Sequence, residues 1–190
     1  MEANGPDMKT CALRPSTIMG PGDTHLVPTI HACIAKHETP FVVGTAYNFY
    51  DFSYVGNIAY AHVLAIENML GSQTAAGETF FISNEEPVPF RDFCKAVWKE
   101  FGHVPPFEVS IPQSVAWCAG WMAEWITLIT GTNATLSRGS VMDYCQTAYA
   151  NTAKAKKILG YERQVSLPEA IKISCAVRLP LALDADYVSY

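Results

Sequence analysis

The chain has 190 residues, 49% of them hydrophobic and 16% charged, and 13 basic against 18 acidic side chains give a formal net charge of −5. That is too apolar for a disordered chain and long enough for one good core, so one folded unit is expected. No cluster of Lys and Arg stands out, which argues against nucleic acid as a partner; Lys154, Lys156 and Lys157 read as the solvated face of a short helix.

In chain order, 9–14 predicts a short apolar strand, and Gly20-Pro21-Gly22-Asp23 a tight loop. Leu26, Ile30, Cys33 and Ile34 recur at helical spacing and predict a helix near 25–36. Phe41-Val42-Val43 predicts a small strand, and 48–54 alternates as an extended segment. Ile58, Ala61, His62, Ala65, Ile66 and Met69 predict a helix over 57–70, with Asn57 as its N-cap. The continuous apolar run Thr79-Phe80-Phe81-Ile82 suits a strand buried on both faces of a parallel sheet. Pro89 opens a helix to about Phe101, with Phe93, Val97 and Phe101 on one face, and Gly102 stops it. A strand over 107–111 and a long apolar helix over 113–130 follow. Helices near 152–159, closed by Gly160, and near 167–178, started by Ser166 and Pro168, complete the pattern. Strands alternating with helices give α/β class; the tail after Arg178 carries no readable pattern.

The six cysteines, Cys11, Cys33, Cys94, Cys118, Cys145 and Cys175, form no Cys-x-x-Cys and read as buried reduced thiols. The polar start, Met1 to Asp7, holds no apolar signal core. Secretion is therefore not expected, and the sequon Asn133-Ala134-Thr135 carries no weight. His25, His31, His37, His62 and His103 sit at no ligand spacing with a carboxylate partner, so no metal site is expected. Ser16 and Ser140 lack a nucleophile-elbow context. Gly20 to His25 comes nearest to a dinucleotide-binding glycine turn, but His25 holds the third glycine position and Asp23 would set a negative charge beside a phosphate. It is not read as a phosphate loop.

The segment 113–131 carries Trp117, Trp121 and Trp125 at every fourth place, with Met122, Ile126, Leu128, Ile129 and a lone charge, Glu124. Three readings fit it: a core helix with its tryptophan stripe inside, a membrane-surface helix or substrate gate, or a spanning helix of barely sufficient length.

Two segments carry more. Leu13-Arg14-Pro15-Ser16-Thr17-Ile18-Met19-Gly20-Pro21-Gly22-Asp23 and Asp51-Phe52-Ser53-Tyr54-Val55-Gly56-Asn57-Ile58-Ala59-Tyr60-Ala61-His62 stand in this order. Together they resemble the second half of an extended short-chain dehydrogenase of the 3β-hydroxysteroid dehydrogenase family, on the branch of the sterol-4α-carboxylate 3-dehydrogenases (decarboxylating). The run 79–84 resembles the last parallel strand of that family, and 151–161 its closing helix, so the resemblance covers roughly 8–178.

The resemblance implies an α/β fold that is the C-terminal part of such an enzyme: the last Rossmann strands plus the small substrate domain, with an incomplete parallel sheet. One partial domain over 1–190 is expected, with 8–24 and 57–84 the remnant of the Rossmann sheet, 25–56 and 85–178 the substrate-binding part, and 179–190 a tail. The family's glycine turn and catalytic Tyr-x-x-x-Lys lie upstream of the first segment. None of the nine tyrosines here has a lysine four places on; after Tyr149 that place holds Ala153, and Lys154 comes one residue late. No catalytic residue is assigned, and the chain alone is expected to be inactive. Pro15, Ser16, Thr17 and Ile18 match the stretch whose backbone contacts the nicotinamide of NAD or NADP. Tyr50, Phe52, Tyr54, Val55 and Asn57 match the wall of the substrate pocket, with departures from many relatives at Gly56 and Tyr60.

The implied activity of the complete enzyme is oxidation of a steroid or sterol 3β-hydroxyl to a ketone, with decarboxylation where a 4α-carboxylate is present. The implied partners are a sterol, a membrane surface met through 113–131, and an upstream half or a second copy. The implied location is the cytoplasmic face of the endoplasmic reticulum membrane or the cytoplasm. Two alternatives stay open: a non-catalytic sterol- or lipid-binding or partner protein derived from the family, and a nucleotide-sugar epimerase or reductase of the same superfamily. The second needs a pocket rich in Arg and Asn.

Overall fold

The computed structural model describes residues 8–130 and 138–176. The strands form four short pairs rather than one broad sheet. β1 (Ala12–Pro15) runs parallel to β6 (Thr79–Ile82), and β2 (Thr17–Met19) parallel to β5 (Phe52–Tyr54). β3 (Phe41–Val43) runs parallel to β8 (Val109–Ile111), and β4 (Phe49–Tyr50) antiparallel to β7 (Val88–Pro89). The helices are α1 (Leu26–Ala35), α2 (Val55–Leu70), α3 (Phe90–Glu100), α4 (Gln113–Thr130), α5 (Arg138–Cys145), α6 (Ala153–Leu159) and α7 (Leu167–Ala176). The α/β class and the short parallel pairings agree with the sequence; α5 has no counterpart among the expected elements. Asn133 and the tail after Arg178 lie outside the described residues.

Two apolar clusters organise these elements. In the first, α1, α3 and α7 pack on β2 and β5. Phe52 and Phe93 stack at 3.7 Å, and the buried Trp98 ring donates its Nε1–H to the Ile30 carbonyl at 2.7 Å. Each such ring contributes roughly 2–3 kcal/mol by burial alone. In the second, Ile58, Ala61 and Ala65 of α2 meet Phe80 and Ile82 of β6, Ala155 and Leu159 of α6, and Tyr161. Gly160 takes φ +68 and ends α6 as its glycine cap.

Three expectations need correction. α2 begins at Val55, with Tyr54 in extended conformation as its cap, so Asn57 is no N-cap but a fully buried residue of the first helical turn. β6 is not buried on both faces: Phe80 and Ile82 are covered by α2 and α6, while Phe81 remains 44% exposed on the other side. The tryptophans of α4 do not sit in a core, since Trp117, Trp121 and Trp125 are 41%, 44% and 53% exposed. Among the described residues no helix is long and apolar enough to cross a membrane.

What joins the two clusters is polar. The buried Asn57 side chain donates to Asn84 Oδ1 and to the Val165 carbonyl, both at 2.8 Å. Its Oδ1 accepts the amides of Gln164 and Val165 at 3.0 Å. Asn84 in turn accepts the Tyr54 amide at 3.1 Å and donates to Val165 at 3.2 Å. Around this pair, Arg163 holds Asn84 and Glu86, the Leu167 amide donates to Glu86, and the Tyr161 hydroxyl donates to the Ser83 carbonyl at 3.0 Å. Burial, with the nearby charges of Glu85 and Asp51, pushes the Tyr161 hydroxyl up to about 12.

Replacing Asn57 with Asp keeps size and acceptor atoms but sets a carboxylate against two carbonyl oxygens. A loss of ~3 kcal/mol in urea unfolding is expected, from partners left unpaired in a buried site; a loss below ~0.5 kcal/mol, the level of an ordinary surface change, would refute the lock. Asp51 gives a second test. Burial raises its carboxyl pKa above 3.8, against the lowering effect of Ser83 and of the Glu86 and Glu85 backbone. A raised folded value means the fold binds this proton more tightly than the unfolded chain does. Its contribution to stability is therefore largest at low pH and declines as pH rises through the folded value. The melting temperature of wild type relative to Asp51→Asn is expected to fall as pH rises above about 4.

Candidate functional site

The loop after β2 shapes the site. Gly20 accepts the Asp23 amide at 3.1 Å in a tight turn. A Cβ at Gly20 would stand 2.3 Å from Val55 Cγ1, so only glycine lets this loop close on the start of α2. Asp23 then turns back on the helix it precedes. Its carboxylate accepts the amides of His25, Leu26 and Val27 at 2.8, 3.0 and 2.9 Å. These are the donors at the start of α1 that a phosphate would need, and they are already taken. The loop therefore caps the start of α1 through Asp23 and does not fit a pyrophosphate.

Between this loop, α1, β3, α3 and the start of α4 lies a cleft of about 1040 Å³. Its walls are mostly apolar: Ile18, Met19, Leu26, Ile30, Phe41, Val43, Val55, Phe90, Ile111, Val115, Ala116 and Ala119. Among the described residues Arg91 is the only Lys or Arg in the wall. Its charge is spent: it pairs with Glu108 at 3.2 Å, donates to the Thr39 carbonyl at 2.8 Å, and lies 4.9 Å over the Trp98 ring. Lys95, and secondarily Arg91, hold the Glu108 carboxyl below its ordinary range. Two thiols also line the cleft, Cys33 and Cys94, and their surroundings disfavour the thiolate. Burial pushes Cys94 up to about 12, and burial with the neighbouring Glu38 raises Cys33. No group of three or more His, Cys, Asp and Glu suited to a metal occurs among the described residues.

Of the residues singled out in the sequence, Thr17, Ile18 and Val55 line the cleft together. Pro15 ends β1 opposite Ile82, and Ser16 is tied to β6 and β5 through its amide on the Ile82 carbonyl at 3.0 Å and its hydroxyl on that of Ser53 at 2.8 Å. Phe52 is fully buried in the first cluster, with Tyr50 and Tyr54 packed against it. Asn57 is spent in the polar lock. β2 has a neighbour on one edge only among the described residues, so its other edge presents free backbone donors and acceptors. That edge fits a carboxamide such as the nicotinamide group. The segments 25–56 and 85–178, expected to bind substrate, contain α1, α3 and α4, but the sequence singles out no lining residue of these helices for the site. The spacing of Leu26, Ile30 and Cys33 did mark an apolar face, but that face is shared between core and cleft.

Known proteins resemble this chain in sequence and in fold. A sterol-4-alpha-carboxylate 3-dehydrogenase, decarboxylating, of Saccharomyces cerevisiae is 39% identical over 181 residues, covering 93% of this chain and 52% of that protein. A 3beta-hydroxysteroid-dehydrogenase/decarboxylase of Arabidopsis thaliana is 35% identical over 184 residues, covering 90% of this chain and 41% of its own length. The chain thus spans about half the length of the curated relatives it matches. Among solved structures, a UDP-glucuronic acid 4-epimerase from Bacillus cereus, in complex with UDP-glucuronic acid and NAD, superposes with a TM-score of 0.57 at 18% identity, over 90% of this chain and 45% of that one. At that identity the likeness concerns the fold. The sequence pattern of the 3-beta hydroxysteroid dehydrogenase/isomerase family matches residues 1–113, and the chain belongs to that family.

Proposed function

We propose that this chain is the substrate-side part of an NAD(P)-dependent dehydrogenase that oxidises a sterol 3β-hydroxyl to a ketone, with loss of a 4α-carboxylate where one is present. The observation that carries the reading is the cleft: about 1040 Å³, mostly apolar, with Thr17 and Ile18 in its wall. A rigid polycyclic hydrocarbon gains by leaving water for such a wall, at roughly 25 cal/mol per Å² of apolar surface buried. Among the described residues a nucleotide sugar finds no uncommitted Lys or Arg in it, which disfavours the epimerase alternative.

In this reading the free edge of β2 at Thr17 and Ile18 hydrogen-bonds the nicotinamide carboxamide and turns the ring toward the cleft. When bound, the dinucleotide supplies the hydride acceptor. The apolar walls, Val55 among them, exclude water and hold the sterol ring. No tyrosine here has a lysine four places on, so the acid–base pair comes from outside these residues. The partition of 8–24 and 57–84 as cofactor side and 25–56 and 85–178 as substrate side belongs to this proposal. The exposed side chains of Trp121, Met122 and Trp125 support a membrane-surface role for α4, at the endoplasmic reticulum face from which a sterol would enter.

The purified chain is expected to bind a fluorescent sterol while showing no NAD- or NADP-dependent oxidation of a 3β-hydroxysteroid. Ala119→Trp, on an exposed cleft position, is expected to weaken that binding at least roughly tenfold by filling the space. Turnover by the chain alone, or sterol binding indifferent to Ala119→Trp, would count against the reading. For α4, the double variant Trp121→Glu, Trp125→Glu is expected to lose most of its flotation with phosphatidylcholine vesicles; unchanged flotation would remove the membrane contact.

A further inference from the structure

The apolar cleft wall holds a polar side chain with an unmet hydrogen bond. Asn48 stands just before β4, where its carbonyl accepts the Phe90 amide at 3.0 Å and so fixes its backbone. Asn48 is one of the residues lining the cleft, and its Nδ2 lies buried behind that wall without a hydrogen-bond partner. Buried donors are nearly always paired, and an unpaired one costs stability until something meets it. The other polar groups of the wall differ. Asp23 is spent on the start of α1 and Arg91 on Glu108 and Thr39, while Glu38, Thr29 and His25 are exposed to water.

We propose that Asn48 is a specificity-determining residue of the cleft, and that its amide donates to the hydroxyl oxygen of a bound sterol. The proposal rests on the sterol reading above. A neutral oxygen suits the site better than an anion, because two acidic side chains share the wall with a guanidinium that is already paired. The broad terminal torsion of an asparagine lets the amide swing toward a ligand at little cost. A site built to hydrogen-bond an oxygen rejects the analogue that lacks it, since the donor is then left unmet.

The test is a competition assay on the purified chain. Cholestan-3β-ol and cholestane, which differ by one hydroxyl, each displace a fluorescent sterol delivered from cyclodextrin. Wild type is expected to prefer the alcohol by about tenfold. Asn48→Leu is expected to abolish that preference without weakening cholestane, and Asn48→Ser, which keeps a donor, to retain part of it. Melting curves identify properly folded variants, and Asn48→Ala gives the same readout if leucine is not accommodated. An unchanged preference in Asn48→Leu, or an equal loss for both ligands, overturns the role of Asn48 and leaves the sterol reading standing. If wild type binds neither compound, the sterol reading falls and this proposal with it.

Discussion

The pairing of Asn57 with Asn84 holds the rest of this structure in place. Backbone bonds from the Ser16 amide to Ile82 and from the Asn84 amide to Phe52, both at 3.0 Å, tie the two clusters at their strands. Each asparagine amide also bridges three chain segments: the junction of β5 with α2, the loop after β6, and the stretch before α7. A buried amide tolerates such a position only when both its donors and its acceptor are met, and at Asn57 the geometry meets them. Hydrophobic burial supplies the larger energy, but it is indifferent to direction. The amides supply the direction, and with it the placement of β2 and α2 at the edge of the cleft.

The cleft follows from that placement. α1 and α3 turn part of one apolar surface inward to the first cluster and leave part of it to line the cavity, so Ile30, Cys94 and Trp98 serve both. The few charges near the cavity are neutralised locally: Asp23 by backbone amides, Arg91 by Glu108. The result is a low-polarity space without a committed anion site. That is the physical basis for reading the chain as a sterol-binding part of a family defined by oxidation at a ring hydroxyl.

Much of this was legible in the sequence. The periodic faces of α1, α2 and α3, the stops at Gly102 and Gly160, and the strand at Thr79–Ile82 are local patterns, and local patterns survive translation into structure. What failed needed tertiary information. Asn57 carries the chemistry of an N-cap, but its partners lie more than a hundred residues away at Gln164 and Val165. Phe81 belongs to an apolar run that looked symmetric, yet only one face of β6 is covered. The tryptophans of α4 repeat at the spacing of a core stripe while facing outward. For the site, the quoted motif located Thr17, Ile18 and Val55 in the cleft, whereas Tyr50, Phe52 and Tyr54 went to packing. Aromatic residues beside a pocket are as useful to its scaffold as to its lining, and sequence alone does not separate the two.

The contact between Gly20 and Val55 couples two positions far apart in the chain. No side chain fits at 20 while a branched residue stands at 55, because the added carbon would overlap Val55 Cγ1 and press on its Cβ. Trimming the second position to alanine removes the 2.3 Å overlap and leaves a close 3.0 Å approach to its Cβ, which only glycine there would clear. Substitutions at these two sites are thus coupled in order: a lineage that shrinks the helix residue first avoids the strain that the reverse order meets.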